Sequence, residues 1–298
     1  MKLLFDVVGK TQPDPFIFED SGKYYLYVTA EKGVELYTAD DPFATWHYEG
    51  VVTRIDGEGH DFWAPSVIAY EGKYYLYVSF TRGEVFEHLH VFTAASPLGP
   101  FEDARELYPC FSIDSHVVRT DAGLFLWYAK NNRVGERIGT QIYVDRLLDP
   151  YTPENRPIAK IVPTFDEEIF APSYSEDNRW HTIEGPFWFA EGEWQYVMYS
   201  GGCYQDDTYH VGYARAKSRE ADLTQVTYEK FTDDGRVSPV LIKNGEEEGT
   251  GHHSVLKMGD AYYAIYHARD YGSDLGAEAR TARICRLHVL DGVITAER

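Results

Sequence analysis

A chain of 298 residues with a formal net charge of −20 repels nucleic acid, anionic lipid and polyanionic substrates, and leaves neutral or cationic ligands as partners. Hydrophobic residues at 44% and aromatics at 15%, with 24 Tyr, exclude a disordered chain and suit strands with one dry and one wet face. Cys110, Cys203 and Cys285 are far apart and form no CxxC pattern, which excludes a disulfide framework and a cysteine-based zinc site.

The chain begins MKLLFDVVGK, a short apolar run broken by Asp6. A signal peptide needs a longer apolar core and a cleavage site, so a cytoplasmic protein is expected. No run approaches the length of a membrane span, so no membrane partner is expected either. Next come "PFIFE", the turn "DSG", and the short strands "KYYLYVTA", "VELYTA" and "WHYEGVV". The heptapeptide "GKYYLYV" at 22–28 then returns unchanged at 72–78. Looser copies follow as "AGLFLWYAK", "EGEWQYVMYS" and "GDAYYAIYHA", each entered through a turn glycine: Gly22, Gly72, Gly123, Gly192 and Gly259. Repeats at roughly fifty to seventy residues, each a small antiparallel sheet of about four strands, predict an all-β, five-bladed β-propeller. Residues 1–298 are then one catalytic domain, and a β-sandwich is the weaker alternative. Short helices are expected only at "DARELY" (103–108) and "READL" (219–223).

Ahead of each turn glycine stands an unusual residue: Asp14 in "QPDPF", Trp63 in "DFWAPS", Asp114 in "SIDSH", Glu184 in "IEGPF" and His252 in "GTGHHS". Each is bland alone, because Asp-Pro and Glu-Gly-Pro make good turns and a lone Trp or His usually packs. Their shared register is not bland. The first strand of a propeller blade lines the axis, so residues at its entry converge at one mouth. Three carboxylates in an aromatic-lined cleft suit glycoside hydrolysis, with one carboxyl as proton donor and one acting at the anomeric face. A third carboxylate nearby raises the donor's pKa.

The order DPF, WAP, ID, EGP, GH resembles glycoside hydrolase family 43 over essentially the whole chain. The resemblance implies a five-bladed propeller that hydrolyses arabinose- and xylose-containing glycans with inversion. It implies Asp14 as general base, Glu184 as general acid and Asp114 as the carboxylate that tunes the acid. Trp63 and Phe16 would contact substrate. His252 would lie near the axis, beside a structural calcium ion held largely by water, and no organic cofactor is implied. A last-blade arginine would hold the substrate, with Arg283 preferred over Arg280. The chain departs from the pattern at Ser66, where an acidic residue is common, and at His253, where Asn is usual.

Two other segments carry chemistry-bearing residues. "HLH" (88–90) reads as a solvated strand face and "EEE" (246–248) as surface loop. The expected activity is an exo-acting α-L-arabinofuranosidase on neutral oligosaccharides. β-Xylosidase, arabinanase and β-galactofuranosidase are the alternatives within the family. The chain ends directly after its fifth repeat, which weighs against the β-xylosidases that carry a C-terminal sandwich. A non-catalytic carbohydrate-binding propeller is the alternative of another class. A protein-interaction propeller is disfavoured by the lack of WD or Kelch signatures.

Overall fold

The computed structural model describes residues 1–83, 86–170, 179–274 and 278–298. Five blade sheets follow one another along the chain, with a small two-stranded hairpin, Thr232–Asp233 paired with Arg236–Val237, between the fourth and fifth. The first strands of the blades are Phe16–Asp20, His60–Tyr70, Ile113–Thr120, Ile183–Glu191 and Glu247–Met258. Each touches the first strand of the next blade, and the fifth touches the first, so the ring closes as a five-bladed propeller. Blades two, four and five have four strands. Blade one adds Leu4–Phe5, parallel to its outer strand Thr45–Val51. Blade three ends in two short strands, Thr152–Pro153 and Ile158–Ile161, both paired with Gly139–Asp149.

The repeated heptapeptide is explained by what both its faces must bury. Side chains alternate along a strand. Tyr25 and Tyr27 therefore face blade two, while Leu26 and Val28 face blade five. In the second copy Tyr75 and Tyr77 face blade three, and Leu76 and Val78 face blade one. The same sandwiching gives five apolar clusters, one at each blade junction. Leu26, Val28, Leu76 and Val78 are fully buried, worth on the order of 1.5–3 kcal/mol each. The tyrosines keep a polar handle: Tyr27 donates to the Pro97 carbonyl at 2.6 Å and Tyr77 to the Pro150 carbonyl at 2.9 Å, each reaching into the next blade. The five turn glycines all have positive φ, from 59° to 125°, where a Cβ would be strained.

Several local expectations change in the folded chain. Glu102–Glu106 is the outer strand of blade two, not a helix, because pairing with His88–Ala94 overrides its helix-forming residues. Residues 219–223 form bends and turns rather than a helix. Among the described residues the one helical element is the single 3-10 turn Asp166–Glu168. His90 is buried against Phe80, and His88 is bonded to Glu106 at 2.5 Å, so "HLH" is not a solvated face. Glu247 and Glu248 are buried in the strand Glu247–Met258, where Glu247 pairs with Arg283 and Arg298. The three cysteines are free, and two of them, Cys203 and Cys285, are buried.

Candidate active site

Each blade reaches the mouth of the channel through one residue in left-handed conformation. These are Asp14 (φ 52°), Ala64 (φ 50°), Asp114 (φ 62°), Gly185 (φ 58°) and His252 (φ 40°). Four of the five are not glycine, so the backbone is strained at the same structural position around the ring. In blades two to five the strand register shifts at this point, as a bulge does when it re-aims side chains. The residues so turned, with Trp63 and Glu184 each just before the left-handed position, converge on one cavity of about 110 Å³. Asp14, Trp63, Asp114, Glu184, His252 and Arg280 all line it.

Two expected residues do not. Phe16 lies below the pocket, packed 6.2 Å from His116 and 6.3 Å from Phe187, because the left-handed backbone at Asp14 redirects the chain before the strand Phe16–Asp20 begins. Arg283 sits inside the strand Thr281–Leu290, with Nη1 3.2 Å from Glu247 and Nη2 2.6 Å from Asp270. Arg280, in the loop before that strand, is the arginine at the pocket. Its Nη1 is 3.3 Å from Asp14 Oδ1, Glu278 grips its Nε and Nη2, and its guanidinium lies 4.8 Å from the Tyr204 ring centroid. Ser66 is buried and bonded to Ser115 at 3.0 Å, so this departure does not face the pocket.

The three carboxylates sit in different fields. Asp14 is buried, which alone would raise its pKa. His252, Arg280 and His267 more than offset that and hold it well below the usual carboxylate range. Burial pushes both imidazoles toward neutrality, His267 to about 4, so Arg280 is the cation that counts at neutral pH. Thr29 Oγ1 donates to Asp14 Oδ2 at 2.6 Å, and the Asp14 backbone N–H donates to His267 Nδ1 at 3.1 Å. Asp14 is thus ionised and fixed. Glu184 is pushed up to about 7, chiefly by burial and further by Asp14, against the lowering effect of the Tyr209 hydroxyl and Arg280. Asp114 lies well above the carboxylate range through burial and the charges of Glu184 and Asp14, although the Gly185 N–H bonded to its Oδ2 at 2.9 Å opposes this. Like charges this close cannot both ionise cheaply, so Asp114 and Glu184 titrate as a pair that keeps a proton near neutral pH.

Sequence reasoning missed Thr29, Ile113, Tyr204 and Tyr209, which complete the wall. Tyr204 and Tyr209 lie between two strands of blade four, Trp194–Gly201 and His210–Lys217. Nothing in "GGCYQDDTYH" distinguishes them from surface tyrosines, and only the position of that loop over the mouth could have pointed to it.

The residues below His252 do not fit the expected calcium. The cavity there is about 10 Å³, room for about one water, whereas calcium takes roughly six to eight oxygens. Its walls include Phe16, Pro65, Pro186 and Phe187 and nitrogen donors at His116 and His253, and its oxygen-bearing side chains, Asp14, Asp114 and Ser115, are fewer than a calcium shell needs. Burial pushes both of these imidazoles down to about 3, leaving them neutral. Among the described residues no group of three or more His, Cys, Asp or Glu converges as metal ligands. Incubation with EDTA followed by desalting is expected to leave kcat/KM within about twofold of the untreated protein, measured on an aryl glycoside.

Comparison with known proteins places this geometry. An extracellular exo-α-(1→5)-L-arabinofuranosidase of Streptomyces avermitilis is 23% identical over 94% of this chain, which spans 60% of that relative's length. A second enzyme of that description, from Cellvibrio japonicus, is 24% identical over 86% of this chain and 78% of its own. Both are named as extracellular, which overturns the cytoplasmic location expected from the first ten residues. Those residues speak only to sorting, and the acidic surface suits either compartment. The crystal structure of a thermostable family-43 glycoside hydrolase superposes with a TM-score of 0.82 at 27% identity, covering 98% of this chain and 95% of the other. The family model for glycosyl hydrolases family 43 matches residues 6–294. This chain, whose propeller gathers three carboxylates and an arginine at its mouth, belongs to family 43 of the glycosyl hydrolases.

Proposed function

We propose that this chain is an inverting, exo-acting α-L-arabinofuranosidase that removes terminal arabinofuranose from neutral oligosaccharides outside the cytoplasm. The observation that carries the reading is the division of the carboxylates within one small pocket. Asp14 is held ionised by Arg280, while Glu184 is held near neutrality by burial. A general base and a general acid need these opposite states at one pH. The pocket, at about 110 Å³ and walled by Trp63, Tyr204 and Tyr209, suits one sugar ring at its base better than a glycan running through.

In this mechanism Asp14 takes a proton from a water as that water attacks the anomeric carbon. Glu184 gives its proton to the departing glycosidic oxygen as the carbon–oxygen bond breaks. The new bond forms on the face opposite the leaving group, so the sugar leaves with inverted configuration. Asp114 accepts the Gly185 N–H, which fixes the backbone next to Glu184 and so orients the acid. Arg280, pinned by Glu278 and stacked beside Tyr204, keeps Asp14 ionised and offers donors to the sugar hydroxyls.

The test is a panel of 4-nitrophenyl glycosides, with NMR of the first-formed anomer on the best of them. The α-L-arabinofuranoside is expected to be cleaved fastest, with inversion. A clear preference for the β-D-xyloside or β-D-galactofuranoside would move the specificity within the family. Retention of configuration would overturn the roles of Asp14 and Glu184.

A further inference from the structure

The mechanism above leaves Tyr209 without a task, yet its placement is highly constrained. The residue is 1% exposed. Its hydroxyl donates to Glu184 Oε1 at 2.6 Å. One face of its ring lies parallel to the His267 imidazole, with centroids 5.7 Å apart and planes 11° apart. The ring also rests on the bare backbone of Gly251. A Cβ there would come within 1.9 Å of Tyr209 Cε1 and 2.1 Å of its Cδ1. The glycine of "TGHH" is therefore the seat of this ring. His267 in turn faces Asp14, so one stack spans the space between the two key carboxylates.

Taking Glu184 as the general acid, as proposed above, we infer that Tyr209 is a positioning residue that decides which oxygen of Glu184 carries the catalytic proton. A phenol has one hydroxyl proton to give. With that proton directed at Oε1, this oxygen is an acceptor, and the carboxyl proton is favoured on Oε2, free to meet the leaving oxygen. Once the proton has gone, the bond from Tyr209 becomes charge-assisted and strengthens. It therefore stabilises the ionised carboxylate more than the acid, which is an interaction made mostly on the way to the transition state. Other charges around Glu184 do not duplicate this. Asp14 opposes its ionisation, Arg280 favours it through space, Asp114 shares a titration with it, and His252 is neutral through burial. Tyr204 and Cys203, in the same loop, are neutral groups whose own ionisation Glu184 resists.

The experiment compares wild type, Tyr209→Phe, Gly251→Ala and Glu184→Gln across pH, on an arabino-oligosaccharide and on a dinitrophenyl arabinofuranoside. Tyr209→Phe keeps the ring and removes one hydroxyl. Its kcat on the oligosaccharide is expected to fall roughly tenfold to a hundredfold, the scale of a lost hydrogen bond to a charged group. The loss on the dinitrophenyl substrate is expected to be slight. The basic limb of its pH profile is expected to move upward, because the ionised form has lost a donor. Gly251→Ala, which must push the ring aside, is expected to move the same limb in the same direction while the hydroxyl is still present. A merely structural role would slow both substrates together and leave the limb in place. If Glu184→Gln spares the dinitrophenyl substrate while Tyr209→Phe leaves the basic limb unmoved, this inference is overturned and the acid assignment stands. If Glu184→Gln slows both substrates equally, the acid assignment falls and takes this inference with it.

Discussion

Glu184→Gln is expected to lower kcat on a natural oligosaccharide by about 10²–10⁴-fold while costing much less on a dinitrophenyl glycoside. Glutamine is close to isosteric, still accepts the Tyr209 hydroxyl bond, and cannot give up a proton. An alkoxide leaving group needs that proton, whereas a dinitrophenolate departs without it. Burial holds the wild-type Glu184 up at about 7. As the proposed general acid the group works only when protonated, so wild-type activity on the oligosaccharide is expected to fall as pH rises through about 7. That basic limb is expected to vanish in the variant, whose amide does not titrate. Initial rates on both substrates across pH decide the matter. Equal losses on both would remove Glu184 from the role of acid.

Asp14→Asn is expected to cost about 10²–10⁴-fold on both substrates alike, because water must be activated whichever group departs. The expected loss is chemical rather than a loss of fold. Thr29 can still donate to the amide oxygen, and Arg280 keeps its three side-chain bonds to Glu278, so no charge is stranded. The melting temperature is therefore expected to stay within a few degrees of wild type, a shift that corresponds to roughly 1 kcal/mol in a chain of this size. Asp14 is the group pushed down in pKa, so in the wild type it remains an ionised base well into acid. The acidic limb of the wild-type profile is thus expected to lie far below the basic one. A variant that retained normal rates on the dinitrophenyl glycoside would show that Asp14 is not the base.

The repeated "GKYYLYV" was readable because it answers a demand made twice, a strand whose two faces fill two blade junctions. The turn glycines were readable because a tight turn with positive φ restricts the residue at that point. The five mouth residues followed from the register alone. Their shared offset reflects one backbone device, the left-handed residue at each strand entry. Ala64 and Gly185 occupy that position in two blades, and the residues just before them, Trp63 and Glu184, are the ones that line the pocket.

Where the reading failed, the deciding contact lay far along the chain. Arg283 and Arg280 are equivalent by local pattern. What separates them is Glu247 and Asp270 waiting for the first, and Asp14, some 266 residues away, waiting for the second. Glu247 looked like surface until Arg283 and Arg298 closed around it. Tyr209 had no signal of its own, since its task depends on Glu184 in front of it and Gly251 behind it. Sequence by itself determined the architecture, the blade count and the three carboxylates, because periodicity and turn chemistry are local and repeat. Only the tertiary structure decided which arginine lines the pocket, which tyrosine bonds to Glu184, and how burial and charge set the carboxylates apart. Those outcomes depend on burial and charge between segments that meet only when the ring closes.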